Sequence, residues 1–216
     1  MEKKKAVTEI AKEIKDPVKS KEVINTVIEN DVVASRNPLM LANKYLGFDE
    51  NNTKHQSTIK GFLNEAVPGY IKNNGSVTKD QNAWCAAFVN NILSEGKFDT
   101  LDYGKDNYNL IRAKQYSNIG SPVKSVDEAK PGDVVVTRNK INGKWNYHTG
   151  FYSGKKDGKY TMIGGNQNNK VSVKTIPKDS IYSVRRIKGV EQLKAAEQKN
   201  ILSTEFFDDQ SSTSIR

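Results

Sequence analysis

Cysteine is nearly absent from this chain: one residue, Cys85, in 216. A single thiol excludes an internal disulfide and any cysteine-rich zinc site, and leaves either a buried structural thiol or a reactive one. Histidine is almost as scarce, with His55 and His148 alone. No apolar run approaches the roughly 20 residues that cross a membrane, so no membrane span is expected. The N-terminal stretch MEKKKAVTEIAKEIK opens on charges. Further charges interrupt every segment that could serve as a hydrophobic signal core. The expectation is a chain made in the cytoplasm with no signal peptide. There is no internal repeat either.

What the chain has in quantity is positive charge. Lys and Arg number 34 against 25 Asp and Glu, for a formal net charge of +9. Such a surface attracts polyanions, whether nucleic acid, anionic membrane or anionic cell-wall polymer, and charge alone does not choose among them. Nucleic acid is not expected as a partner, because the chain has no zinc-finger spacing, RNA-binding aromatic motif or recognition-helix signature. At 36% hydrophobic and 27% charged, the chain is polar but rich enough in apolar residues to fold.

Residues 1–37 read as a basic helical N-terminal extension, with Asp16-Pro17 as a break and restart. PLMLANKYLG (38–47) reads as a short core helix closed by Gly47, and a second runs from Ser57 to about Ala66. A third begins near Trp84 in AWCAAFVNNILSEG and ends at Gly96, with Trp84, Ala87, Phe88 and Ile92 at helical spacing. Residues 97–125 read as a long connection with a helix near 110–116. From Pro131-Gly132-Asp133 onward, β-branched residues alternate with polar ones between short turns. This predicts an antiparallel meander of about five strands. Helices first and strands later make an α+β domain over residues 38–187. Residues 188–216 read as a C-terminal helix (VEQLKAAEQKNIL) and a flexible tail.

Cys85 falls at the start of the third helix. There the free backbone N–H groups and the helix dipole favour a thiolate, and the nucleophile's own N–H can hold an oxyanion. A thiolate nucleophile also needs an imidazole to protonate the leaving amine. His148, on a strand between Tyr147 and Thr149, is a plausible supplier, whereas His55 reads as an exposed or local capping residue. A hairpin turning at 155–158 would set His148 opposite residues 165–167. Asn166 is then the best cross-strand group to orient the imidazole, with Gln167 close behind. Trp84, Trp145 and Tyr147 are candidates for lining a substrate groove, together with Gln167. Asn82 and Gln81 are nearby polar candidates for an oxyanion site.

Cysteine on a helix, then histidine on a strand, then an amide one strand later is the chain order of papain-like enzymes. The segments AWCAAFVN (83–90), PGDVVV (131–136), HTGFYSG (148–154) and GGNQNNKVSV (164–173) resemble the CHAP superfamily, the cysteine, histidine-dependent amidohydrolases/peptidases. They are most similar to its phage-encoded and bacterial cell-wall hydrolases, and NlpC-type peptidases are related. The resemblance covers about residues 38–187. It implies a papain-like fold, no metal or organic cofactor, and cleavage of peptidoglycan as an endopeptidase or N-acetylmuramoyl-L-alanine amidase. By position it implies Cys85 as nucleophile, His148 as base and Asn166 as third member. The family strand usually reads Gly-His-Val-Gly-Phe, and here a bulky Tyr147 precedes His148. The implied place of action is the bacterial cell wall, reached as a released endolysin or as a virion component. In the second case the terminal extensions could meet phage tail or virion proteins. The rival expectation is a non-catalytic virion or cell-wall-binding component with a vestigial site.

Overall fold

A computed structural model of the chain describes residues 37–71, 83–102 and 107–193, and the backbone of 207–208. The expected N-terminal helices over residues 1–36 lie outside the described residues. So does most of the expected C-terminal helix, and its first residues, 190–193, are not helical.

Among the described residues three α-helices come first: α1 (Pro38–Asn43), α2 (Thr53–Ala66) and α3 (Cys85–Glu95). Asn37 caps α1 by accepting the Leu39 N–H, and Pro38 takes the first helical position, where a missing N–H costs nothing. The Asn37 amide also donates to the carbonyls of Pro131 and Glu191. Asn37 therefore belongs to the folded unit, as do Val190 and Leu193, which pack on the core. Helix α2 begins four residues earlier than its hydrophobic pattern indicates, because Asn52 caps it by accepting the Lys54 N–H. Its buried side chains, Ile59, Phe62, Leu63 and Ala66, make one apolar stripe. Helix α3 is buried on most of its circumference. Among its described residues the connection expected to carry a helix near 110–116 has 3-10 helices at Asn107–Ile111 and Ala113–Asn118.

The strands are β1 (Ser121–Val123), β2 (Val134–Ile141), β3 (Lys144–Lys156), β4 (Lys159–Gln167), β5 (Lys170–Ile176), β6 (Ile181–Arg186) and β7 (Phe207–Asp208). Six of them form an antiparallel sheet in the order β1-β6-β2-β3-β4-β5, and β7 lies parallel to β5 at the edge. The fold is therefore α+β. The meander from β2 to β5 follows from two-residue turns at Asn142-Gly143, Asp157-Gly158 and Asn168-Asn169. Every one of these six residues has positive φ. That is the backbone twist matching two antiparallel strands, and Asn, Asp and Gly tolerate it best. Strand β6 then crosses back to pair with β2.

Alternation gives the sheet two unlike faces. Val134, Val136, Phe151, Ile163, Val171 and Val173 point to the helices and join Trp84, Phe88 and Phe62 in the main core. Val135, Tyr152, Met162, Ile176 and Val184 form a smaller cluster on the other face, closed by Val126. Edge-to-face rings at Tyr45–Phe62 and Phe62–Phe88 add directional contacts worth about 0.5–1.5 kcal/mol each beyond burial. The helices meet the sheet closely at Gly165, where an added Cβ would lie 2.5 Å from the Trp84 ring.

Candidate functional site

Helix α3 starts at Cys85 with no side-chain cap, since Trp84 precedes it. Trp84 is fully buried, and its indole N–H donates to Glu50 Oε2 at 2.7 Å. It anchors the helix start in the core and does not line a groove, which corrects the expectation from sequence. Glu50 is itself buried, and its N–H bonds the Asn169 carbonyl beside the β4–β5 turn. The start of α3 is thus tied to the end of β4.

Cys85 is 5% exposed. Burial pushes its thiol up to about 11, against the pull of three backbone N–H groups, those of Thr149, Ala86 and Cys85 itself. Two of them are the free donors of the helix start. The third comes from β3, one residue beyond His148. The expectation of a helix-stabilised thiolate is therefore not met in the resting chain: desolvation outweighs the donors.

His148 is 7% exposed and sits opposite Thr137 of β2. Burial, aided by the charge of Lys174, lowers its pKa to about 4, and the Gln167 side chain opposes that shift. Strand alternation places Thr149 with Phe151 on the helix side and His148 with Gly150 and Tyr152 on the other. Cys85 and His148 thus flank the same stretch of β3. Among the described residues no hydrogen bond joins sulfur to imidazole. Thiol and imidazole are both neutral.

The residue that meets the imidazole is Gln167, not Asn166. The Gln167 amide nitrogen donates to the Ser172 carbonyl at 2.6 Å and more weakly to Ser172 Oγ and the Gly164 carbonyl. This fixes its oxygen towards His148 Nε2. Neither Gln167 Oε1 nor His148 Nε2 has a regular hydrogen-bond partner. Gly164 leaves room for the approach, since a Cβ there would lie 3.2 Å from Nε2 and 3.3 Å from Gln167 Cδ. A bulge explains the exchange. The β4–β5 register shifts between Gly164 and Gln167, and Asn166 takes φ +57° inside it. Bulges re-aim side chains, and this one turns Gln167 onto the imidazole. Asn166 is left half-buried at the rim of a cavity.

That cavity, about 670 Å³, opens on the sheet face away from the helices. His148, Asn166 and Gln167 line it with Lys140, Lys159 and Lys174, whereas Cys85 does not. Trp145 is 51% exposed near the tip of the β2–β3 hairpin, with Arg138 stacked 4.6 Å from its ring. Tyr147 packs edge-on to Tyr182 under Lys114. Neither aromatic lines the cavity. Asn82 and Gln81 lie outside the described residues. His55 is structural: it stacks on Phe48 and accepts the Asp49 N–H at Nδ1.

The sequence reading missed Glu50, Lys174 and the Thr149 N–H. Only Lys174 carried a signal, as an alternate residue of KVSVKTIP. Among the described residues no group of three or more His, Cys, Asp or Glu side chains could hold a metal ion, and no helix is long and apolar enough to cross a membrane. Comparison with family models, with curated proteins and with solved structures finds no match to this chain.

Proposed function

We propose that this protein hydrolyses amide bonds of bacterial cell-wall peptide, with Cys85 as nucleophile and His148 as acid and base, on a papain-like arrangement of helix and sheet. One observation carries the reading. Cys85 opens a buried helix, where the free N–H groups of the helix start and the Thr149 N–H of the neighbouring strand act on its thiol. The motif resemblance over 83–90, 131–136, 148–154 and 164–173 supplies the substrate class.

The steps balance as an acyl transfer. The Cys85 S–H proton passes to His148 while sulfur bonds the peptide carbonyl carbon. The oxyanion is held by N–H groups at the helix start, Cys85 among them. Collapse breaks the C–N bond, and His148 returns its proton to the departing amine. Water then gives a proton to His148 and attacks the thioester, releasing the acid and restoring the thiol. Gln167 orients the imidazole through Nε2 in the way an amide or carboxylate serves other nucleophile–base pairs. The His148 side chain lies on the sheet face opposite Cys85, so this proton transfer requires the imidazole to reach the helix face when substrate binds.

Digestion of purified peptidoglycan, read by mass spectrometry, tests the proposal and names the bond. A new amine inside the peptide means endopeptidase, and intact stem peptide freed from glycan means amidase. Products that form equally with Cys85→Ala would refute the mechanism.

The same neutral pair favours a second reading, a wall-binding or virion component with a vestigial site. In that case Cys85 stays inert and wall peptide is bound without being cut.

A further inference from the structure

We propose that the cavity beside His148, on the sheet face opposite Cys85, is a carboxylate-binding subsite with Lys174 as its principal cation. The choice of wall peptide as its ligand rests on the hydrolase reading, and the anion on the cavity itself.

The cavity holds four lysines, at 140, 159, 174 and 178, and no acidic side chain lines it. Lys178 is already paired with Asp127 at 2.7 Å, and Lys140 lies over the Trp145 ring. Among the described residues Lys159 and Lys174 have no acidic partner. Lys174 sits opposite Met162 on the open face of the sheet, close enough to His148 for its charge to bear on the imidazole. Clustered cations without counter-charges repel one another, and an anion relieves that cost. His148 Nε2 and Gln167 Oε1 face each other in the cavity wall and leave the lysines as its cationic groups. Met162 and Ile176 supply an apolar floor for the carbon chain of a ligand. A planar carboxylate against Lys174 would also offset the positive charge now pressing on the imidazole.

Two forms of one probe test this: the wall tetrapeptide L-Ala-γ-D-Glu-L-Lys-D-Ala with all carboxylates free, and the same peptide with all carboxylates as primary amides. Calorimetry on full-length Cys85→Ala reads binding without turnover, and cleavage of sacculi by the wild type reads catalysis. The acid should bind at least about tenfold more tightly than the amide, the scale of one charge-assisted contact. Adding Lys174→Met should bring that ratio near one, and Lys174→Arg should keep it. Equal affinities, no detectable binding of either peptide, or a ratio that survives Lys174→Met combined with Lys159→Met overturns the subsite. Cys85-dependent cleavage without acid-selective binding removes the subsite and leaves the hydrolase. Acid-selective binding without any cleavage removes the hydrolase and leaves the subsite.

Discussion

The two faces of the sheet come from the same alternating strands and hold opposite chemistry. On the helix side, Val134, Val136, Phe151 and Ile163 close against Trp84 and Phe88 in a dry core. On the other side, the neighbouring positions Thr137, His148, Met162 and Lys174 surround an open, cationic cavity. Cys85 belongs to the first face and His148 to the second, with the backbone at 148–149 between them. Burial raises the thiol on the helix side, and burial aided by the charge of Lys174 lowers the imidazole on the other. Each face therefore holds its half of the chemistry in the neutral form, and the proposed reaction requires His148 to reach the Cys85 face when substrate binds.

The largest effect should come from His148→Ala. General acid–base catalysis contributes about a hundredfold to ten-thousandfold, so wall cleavage should fall by that range while the melting temperature moves little. Equal loss of folding and activity would instead make His148 a core residue.

The two tryptophans set core against surface in stability. Trp84→Ala, at a fully buried position, should cost about 3–5 kcal/mol in denaturant unfolding. Trp145→Ala, on the exposed hairpin, should stay within about 0.5 kcal/mol.

Adjacent glycines give a finer contrast. In Gly165→Ala the new Cβ meets Trp84 at 2.5 Å and Phe88 at 2.8 Å, and overpacking of this kind costs about 1–3 kcal/mol. In Gly164→Ala it meets His148 Nε2 at 3.2 Å. That variant should keep its stability within about 1 kcal/mol and lose about tenfold in cleavage rate, because the imidazole must shift. A stability loss from Gly164→Ala equal to that from Gly165→Ala would erase the distinction between the faces.

Titration should destabilise the chain at both ends of the pH scale. An unfolded chain protonates His148 near its ordinary 6.5, and the folded chain only near 4, so stability falls as pH drops between them. An unfolded chain ionises Cys85 near 9.0, and the folded chain only near 11, so stability also falls as pH rises through that window. Each limb is worth up to about 3 kcal/mol. Thermal melts across pH should lose the acid limb in His148→Gln and the alkaline limb in Cys85→Ala.

Much of this was readable in the residues. The apolar spacing of Trp84, Ala87, Phe88 and Ile92 located the buried helix, and the turn residues after Pro131 located the meander. The helix start at Thr53 was hidden, because its cap, Asn52, sits in a run that reads as a loop. Strand β1 and the return of β6 to β2 are long-range pairings that local pattern does not encode. At the site, the pairing logic led to Asn166 because alternation assumes an unbroken strand. The left-handed Asn166 breaks it, and Gln167 gains the imidazole. Helix-start placement made Cys85 look like a thiolate, but the depth of burial, which decides its charge, depends on how α3 packs. The dipole argument had no access to that.

Intact-mass analysis of the protein quenched in acid during turnover of wall peptide tests the central claim most directly. The wild type should carry the acyl portion of the stem peptide as a thioester located at Cys85, with far less in His148→Ala and no adduct in Cys85→Ala. Wall cleavage that proceeds at the wild-type rate in Cys85→Ala, with no adduct at any stage, would contradict it.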